Sequence, residues 1–230
     1  TQRKKSWLIR SLNASLAQDG KDKLIDVHST QKINVAIASG DQDFVQPVGE
    51  LANISVNGFN LEWVSPFAKP LGITGEIRHA SFKLTTGRGQ QLLLESIEPL
   101  DVRRLGIVDG ATHVLDNIWL SIRPTVSYAP ESIDVQYREL ILSGGKNPIA
   151  KGSGTVRVKT QKDHAATLHA NGDLHLDLGN FGTQPIFAEV LSDIAIDRSL
   201  SAKLRYDLRY AGASVHIDSL NFDLLHERTS

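Results

Sequence analysis

The chain has 230 residues, 25 basic and 26 acidic side chains, and a formal net charge of −1. Such balance excludes the basic face or tail that nucleic-acid binding needs, so no nucleic-acid partner is expected. There is no Cys, which excludes disulfides, thiolate catalysis and zinc–thiolate sites, and no run of ~18 apolar residues that would cross a bilayer as a helix. The one basic cluster, Arg3-Lys4-Lys5, reads as a solvated terminus or as the flank of a membrane anchor. There is also no Met, which fits a processed or excised chain.

Alternation of apolar and polar residues, the period of a β-strand, dominates the sequence. Leu8, Leu12, Ala14 and Leu16 hold one face of a first strand, and Ile33, Val35 and Ile37 one face of the next. Phe59, Trp63 and Phe67 are spaced by four, which would align them on a helix, and Leu61–Lys69, ended by Pro70, is a predicted helix. A strand is predicted over Ile73–Leu84 and a second short helix over Pro99–Leu105. Ile118, Leu120 and Ile122 alternate with Trp119, Ser121 and Arg123, and Val156 and Val158 with Arg157 and Lys159. Leu174, Leu176 and Leu178 alternate with Asp173, His175 and Asp177. A third helix is predicted over Gln184–Leu191, with Pro185 in its first turn. Strand alternation resumes over Ile194–Tyr210, where Leu204, Tyr206, Leu208 and Tyr210 share a face, then through Val215 and Ile217 and through Leu220, Phe222 and Leu224.

Turn signals punctuate these runs: Asp19-Gly20, Asn57-Gly58, Thr86-Gly87-Arg88-Gly89, Asp109-Gly110, Ser143 to Pro148, Asn171-Gly172 and Ala211-Gly212. The expected fold is all-β: an antiparallel multi-strand meander of about a dozen strands forming a curved or rolled sheet, with two or three short helices. Residues 1–230 read as a single β-rich domain or as a segment of a longer β-repeat protein. The break-and-resume pattern at Ser65-Pro66-Phe67 echoes that at Gln184-Pro185-Ile186-Phe187, which raises two similar subunits, 1–110 and 111–230.

No catalytic constellation emerges. Gly152-Ser153-Gly154 lacks the spacing of a nucleophile elbow, and Thr86-Gly87-Arg88-Gly89 opens no helix that could cradle a phosphate. His169 and His175 would stand ~20 Å apart on one strand, too far to share an ion, and the Asn171-Gly172 turn argues against a common strand. Asp173, His175 and Asp177 read as a solvent-facing polar row. The expectation is a protein without enzymatic activity, metal or cofactor.

Two passages carry a resemblance. Val56-Asn57-Gly58-Phe59-Asn60-Leu61-Glu62-Trp63-Val64-Ser65-Pro66-Phe67, followed by Leu71-Gly72-Ile73-Thr74-Gly75-Glu76-Ile77, resembles the strand, Trp-x-x-Pro-Phe, Gly-Ile/Leu-x-Gly, strand phrasing of AsmA-like proteins. The passages from Gly172 to Leu178 and from Leu200 to Leu208 read similarly. The resemblance implies a curved β-sheet groove in the periplasm or cell envelope of a Gram-negative-type bacterium, tethered at the inner membrane, with a role in phospholipid transport or outer-membrane biogenesis. It brings no catalytic residues, and the N-terminal membrane helix of that family is missing from this chain.

A sheet with one apolar face must cover it with another layer or with a ligand. The expected function is therefore lipid handling, with a phospholipid or other acyl-chain ligand held by Leu174, Leu176, Leu178, Leu204, Tyr206, Leu208, Leu220, Phe222 and Leu224. Phe59, Trp63 and Phe67 are a candidate interaction patch for envelope proteins or lipid. The same alternation fits a closed sandwich or barrel, and with it a structural or adhesive module that binds protein by a sheet edge or loops.

Overall fold

The computed structural model describes residues 5–17, 23–37, 48–67, 71–87, 91–145, 147–161, 164–185, 200–211 and 214–226. It contains thirteen strands: β1 (Lys5–Ile9), β2 (Asn13–Ala17), β3 (Lys23–Ser29), β4 (Ile33–Ile37), β5 (Gly49–Asn60), β6 (Leu71–Thr86), β7 (Leu92–Asp109), β8 (Thr112–Ala129), β9 (Ser132–Gly144), β10 (Asn147–Gln161), β11 (His164–Asp177), β12 (Leu200–Ala211) and β13 (Ser214–His226). Eleven of them form one antiparallel sheet in the order β13-β12-β11-β10-β9-β8-β7-β6-β5-β3-β2. β1 and β4 pair separately. β7 and β8 pair as one hairpin across residue 110.

The sheet is open: β2 and β13 are its edges, and they do not pair with each other. Among the described residues, the elements packed against it are short helical turns at one end of the strands. Among the described residues the sheet is neither a closed sandwich nor a closed barrel. The accessible surface agrees. The chain exposes 15604 Å², whereas a compact globule of this mass exposes about 10,000 Å².

Curvature comes from bulges. Arg104, Asn117 and Glu139 have φ near +50° on three successive strands, and Gly75 on β6 stands at +126°. Pairing slips beside each of them. An extra residue on one side of a ladder bends and twists it, so this line of irregularities folds the long strands across their middle.

Several sequence expectations are corrected. Leu8 and Leu12 do not share a strand with Ala14 and Leu16, because the chain leaves β1 at Ile9 and enters β2 at Asn13, in another sheet. The predicted helix at Leu61–Lys69 is two 3-10 turns, Leu61–Trp63 and Ser65–Phe67. Asn60 caps the first by accepting from the Glu62 N–H, and Pro66 lacks the N–H that a continuous helix would need. Pro99–Leu105 is strand, inside β7, with Pro99 at a point where the β7–β8 ladder is interrupted and no donor is missed. A short helix that was not predicted, α1 (Leu178–Phe181), precedes the predicted third one; Pro185 is helical, as expected of its first turn, and residues 186–191 lie outside the described part. Asp177 ends β11 and caps α1 by accepting from the Asn180 N–H at 2.9 Å, so Leu178 is a helix residue and not a strand residue.

Two expected turns are strand interior: Asn57-Gly58 lies within β5 and Asn171-Gly172 within β11. His169 and His175 therefore do share a strand.

Candidate functional site

Cross-strand partners in an antiparallel sheet share a face, so the ladder registers place every side chain. One row runs Ala52, Leu84, Leu94, Val126, Val135, Val156, Ala170, Leu208 and Ile217, one residue from each strand from β5 to β13. It spans eight inter-strand gaps, roughly 38 Å. The row one residue along faces the other way: Asn53, Lys83, Glu95, Thr125, Gln136, Thr155, Asn171, Asp207 and Ser219. One face of the sheet is hydrocarbon and the other is polar, across nine strands.

A second apolar row, past the bulges, runs Phe59, Ile77, Val102, Leu120, Leu142, Ala150, Leu176, Ala202 and Leu224. Here the face is covered. Val102, Leu105, Ile118 and Ile149 form one buried cluster, and Ala150, Leu176 and Ala202 another, with Phe181 of α1 packed on both and Leu61 of the first 3-10 turn packed on the former. Gln184 fixes the cover, accepting from the Asp116 N–H of β8 at 3.2 Å. The described parts of the two long connections, residues 61–67 and 178–185, leave the sheet at the same end, and their helical turns cap it there.

At the opposite end no described element covers the face. Tyr128, Ile133, Tyr210 and Val215 lie along it and are all exposed. Of the residues expected to line a groove, Leu174, Leu204, Tyr206 and Leu208 lie half-buried on the apolar face. Leu176 is on that face but under α1, at 6% exposure, and Leu178 packs beside it from the helix. Leu220, Phe222 and Leu224 continue the face onto the edge strand β13, each more than half exposed.

Between the two apolar rows lies a feature that the sequence reading missed. Tyr137, Gly154, Gly172 and Tyr206 are successive cross-strand partners on β9 to β12. The two tyrosine hydroxyls hydrogen-bond to each other. A Cβ on Gly154 would come within 2.5 Å of the Tyr137 hydroxyl, and one on Gly172 within 2.8 Å of that of Tyr206. Both rings thus lie flat along the sheet and meet over the glycines. Burial, and then the bond to Tyr206, push the Tyr137 phenol above its usual range. The available signal was two glycines inside strand alternation, which mark a close approach as readily as a turn.

The expected interaction patch is only partly assembled. Phe59 and Trp63 meet edge to face, with ring centroids 5.4 Å apart, and Trp63 is 44% exposed. The Phe67 side chain lies outside the described residues.

The polar face carries cross-strand ion pairs, including Lys83–Glu95, Arg157–Asp134 and Arg205–Asp173. His169, Asp207 and Asp218 bring ligand-type atoms within 4.8 Å of one another, a cluster drawn from three strands and unreadable from spacing. The Arg209 guanidinium already donates twice to the Asp218 carboxylate and holds it below the usual carboxylate range. The Asp207 carboxylate accepts from His169 Nε2 at 2.5 Å. Asp218 is thus already paired with a cation of the chain's own. Of the expected solvent-facing row, Asp173 and His175 are exposed, whereas Asp177 is half-buried and caps α1. No protein family, curated protein or solved structure matches this chain.

Proposed function

We propose that the protein is a non-catalytic envelope component that holds the acyl chains of phospholipids against the apolar face of its sheet, in phospholipid transport or outer-membrane biogenesis. The observation that carries this is the apolar row from Ala52 to Ile217 on nine strands: Ala52 is buried, but from Leu84 to Leu208 the row is half-buried and Ile217 is exposed, with no second sheet on it among the described residues. A monomer in water does not leave such a strip bare without cost, and contiguous apolar surface of this kind marks an interaction site. Hydrocarbon laid along it gains ~0.8 kcal/mol per buried CH₂. The strip, at roughly 38 Å, exceeds the ~30 Å thickness of a bilayer's hydrocarbon core, so it is longer than any one acyl chain. The resemblance to AsmA-like proteins points the same way and supplies the periplasmic, inner-membrane-tethered setting of the proposal.

A second reading has its own observation. β13 is a thirteen-residue edge strand whose Val215, Ile217, Leu220, Phe222 and Leu224 are all more than half exposed. An unprotected apolar edge can accept a strand from another protein.

Organic extraction of the purified chain followed by mass spectrometry separates the two. Phospholipid at a stoichiometry near one or more per chain supports the groove. Lipid-free protein that also fails to bind a fluorescent fatty acid overturns it and leaves the edge-pairing reading.

A further inference from the structure

We infer that the paired hydroxyls of Tyr137 and Tyr206 are the groove's anchor for the carbonyl of an ester- or acid-headed acyl chain. The inference rests on the groove reading and narrows its ligand class, to lipids that carry a hydrogen-bond acceptor at the end of the hydrocarbon.

The two tyrosines stand on β9 and β12, three inter-strand gaps or roughly 14 Å apart along the sheet. Only with glycine at both intervening positions can the rings lie down and their hydroxyls meet, since any Cβ on Gly154 or Gly172 falls inside contact distance of a phenol oxygen. Two strands give up their side chains so that one polar pair can sit in the middle of an apolar face. On either side the rows are hydrocarbon: Leu174, Leu204 and Phe222 towards the capped end, and Val156, Ala170 and Leu208 towards the open end.

The hydrogen-bond inventory is unbalanced. A phenol has one O–H donor and accepting lone pairs, so the pair has two donors. Their mutual bond uses one. Neither hydroxyl has a further partner among the described residues. One O–H is therefore left to point at whatever fills the groove. In water it is hydrated. Under hydrocarbon alone it is stranded, and a desolvated donor without an acceptor is costly. An ester or carboxyl oxygen placed over the pair satisfies it, and the hydrocarbon behind that group then runs along the apolar rows. A strut that merely covers the two glycines would be served as well by phenylalanine and would show no such preference.

The test uses the full chain and compares methyl palmitate with hexadecane as competitors of a bound fluorescent fatty acid. In the wild type, methyl palmitate should compete better than hexadecane. In the double variant Tyr137→Phe with Tyr206→Phe the rings stay over the glycines, and the preference should fall about tenfold while hexadecane competes as before. The infrared carbonyl band of the bound ester gives a second readout, shifted by hydrogen bonding in the wild type and unshifted in the double variant. The single variant Tyr206→Phe, which keeps one hydroxyl, should retain part of the shift. An unchanged ester-to-alkane ratio in the double variant, or equal binding of the two competitors by the wild type, overturns the anchor and leaves the groove standing. Failure of the wild type to bind either competitor overturns both.

Discussion

The two ends of the sheet are built from the same strands with the same alternation, and they end as different things. At one end Ile118 is 1% exposed and Phe181 bridges two buried clusters. At the other, Tyr210 and Val215 stand 44% and 64% exposed on the same face of the same sheet. What separates them is the connections. Tight hairpins return at the bare end, at Pro130-Glu131 for example, while the chain makes its helical detours at the covered end. Alternation decides which face is apolar. The length and content of the loops decide whether that face is a core or a site.

The largest expected effect places one substitution in each half. Leu176→Asp puts a carboxylate under α1 beside Ala150, Ala202 and Phe181, with no partner. The cost should be several kcal/mol, enough to unfold a domain of ordinary stability. Leu208→Asp makes the same chemical change on the uncovered row, where the carboxylate keeps its water. Its cost should be about 1 kcal/mol, with a marked loss of bound lipid. Urea denaturation monitored by circular dichroism reads both. Equal destabilisation would mean that the bare end is also closed in solution.

A smaller effect comes from the boundary between the halves. Gly154→Ala places a methyl group 2.4 Å from the Asn171 carbonyl and 2.5 Å from the Tyr137 hydroxyl. The backbone carbonyl cannot swing aside as a side chain could, so the strands must part or the ring must lift. We expect about 1–3 kcal/mol of destabilisation, read from the urea midpoint. The same substitution at Gly110, whose added Cβ would meet nothing within 4 Å but whose φ is +58°, should cost only the strain of that backbone conformation, about 1 kcal/mol. If Gly154→Ala were the milder of the two, the flat tyrosine pair would not exist in solution.

The sequence made the strands legible because alternation is a local property: Leu204, Tyr206 and Leu208 announce a half-buried face wherever their partners lie. It also exposed the lack of long helices. It did not show which glycines were turns. Asn171-Gly172 has the chemistry of a hairpin, but Gly172 is glycine because Tyr206 and Tyr137 need its space from other strands. It did not show the breadth of the apolar row either. The groove expected from the alternation runs from β11 to β13, where leucines are dense, whereas Val126, Val135 and Val156 extend the same strip on strands whose partners could be known only from register. Leu176 and Leu208 looked equivalent, and only the return of α1 over one of them makes them different. The His169, Asp207 and Asp218 cluster was hidden for the same reason, since its members come from three strands.

The smallest expected effect lies on the opposite face, at the open edge. Arg209 on β12 donates both guanidinium arms to Asp218 on β13, and this bond above all lowers the Asp218 pKa from its ordinary 3.8. A carboxylate whose pKa is depressed on folding stabilises the folded chain above the unfolded value, and that contribution is lost as pH falls through the lower folded one. Stability should therefore decline as pH is taken below about 4, and Asp218→Asn should flatten the decline. Because the pair is exposed, the difference should be small and should shrink further as salt is raised. The capped end should be indifferent to this substitution, since its core of Val102, Leu105, Ile118 and Ile149 is built on β7, β8 and β10, away from β13. Amide exchange as a function of pH tests that division directly. Protection on β12 and β13 should fall at acid pH before protection on β7 and β8 does. A loss that is uniform across the sheet would show that the edge and the capped end unfold as one unit, whatever covers each of them.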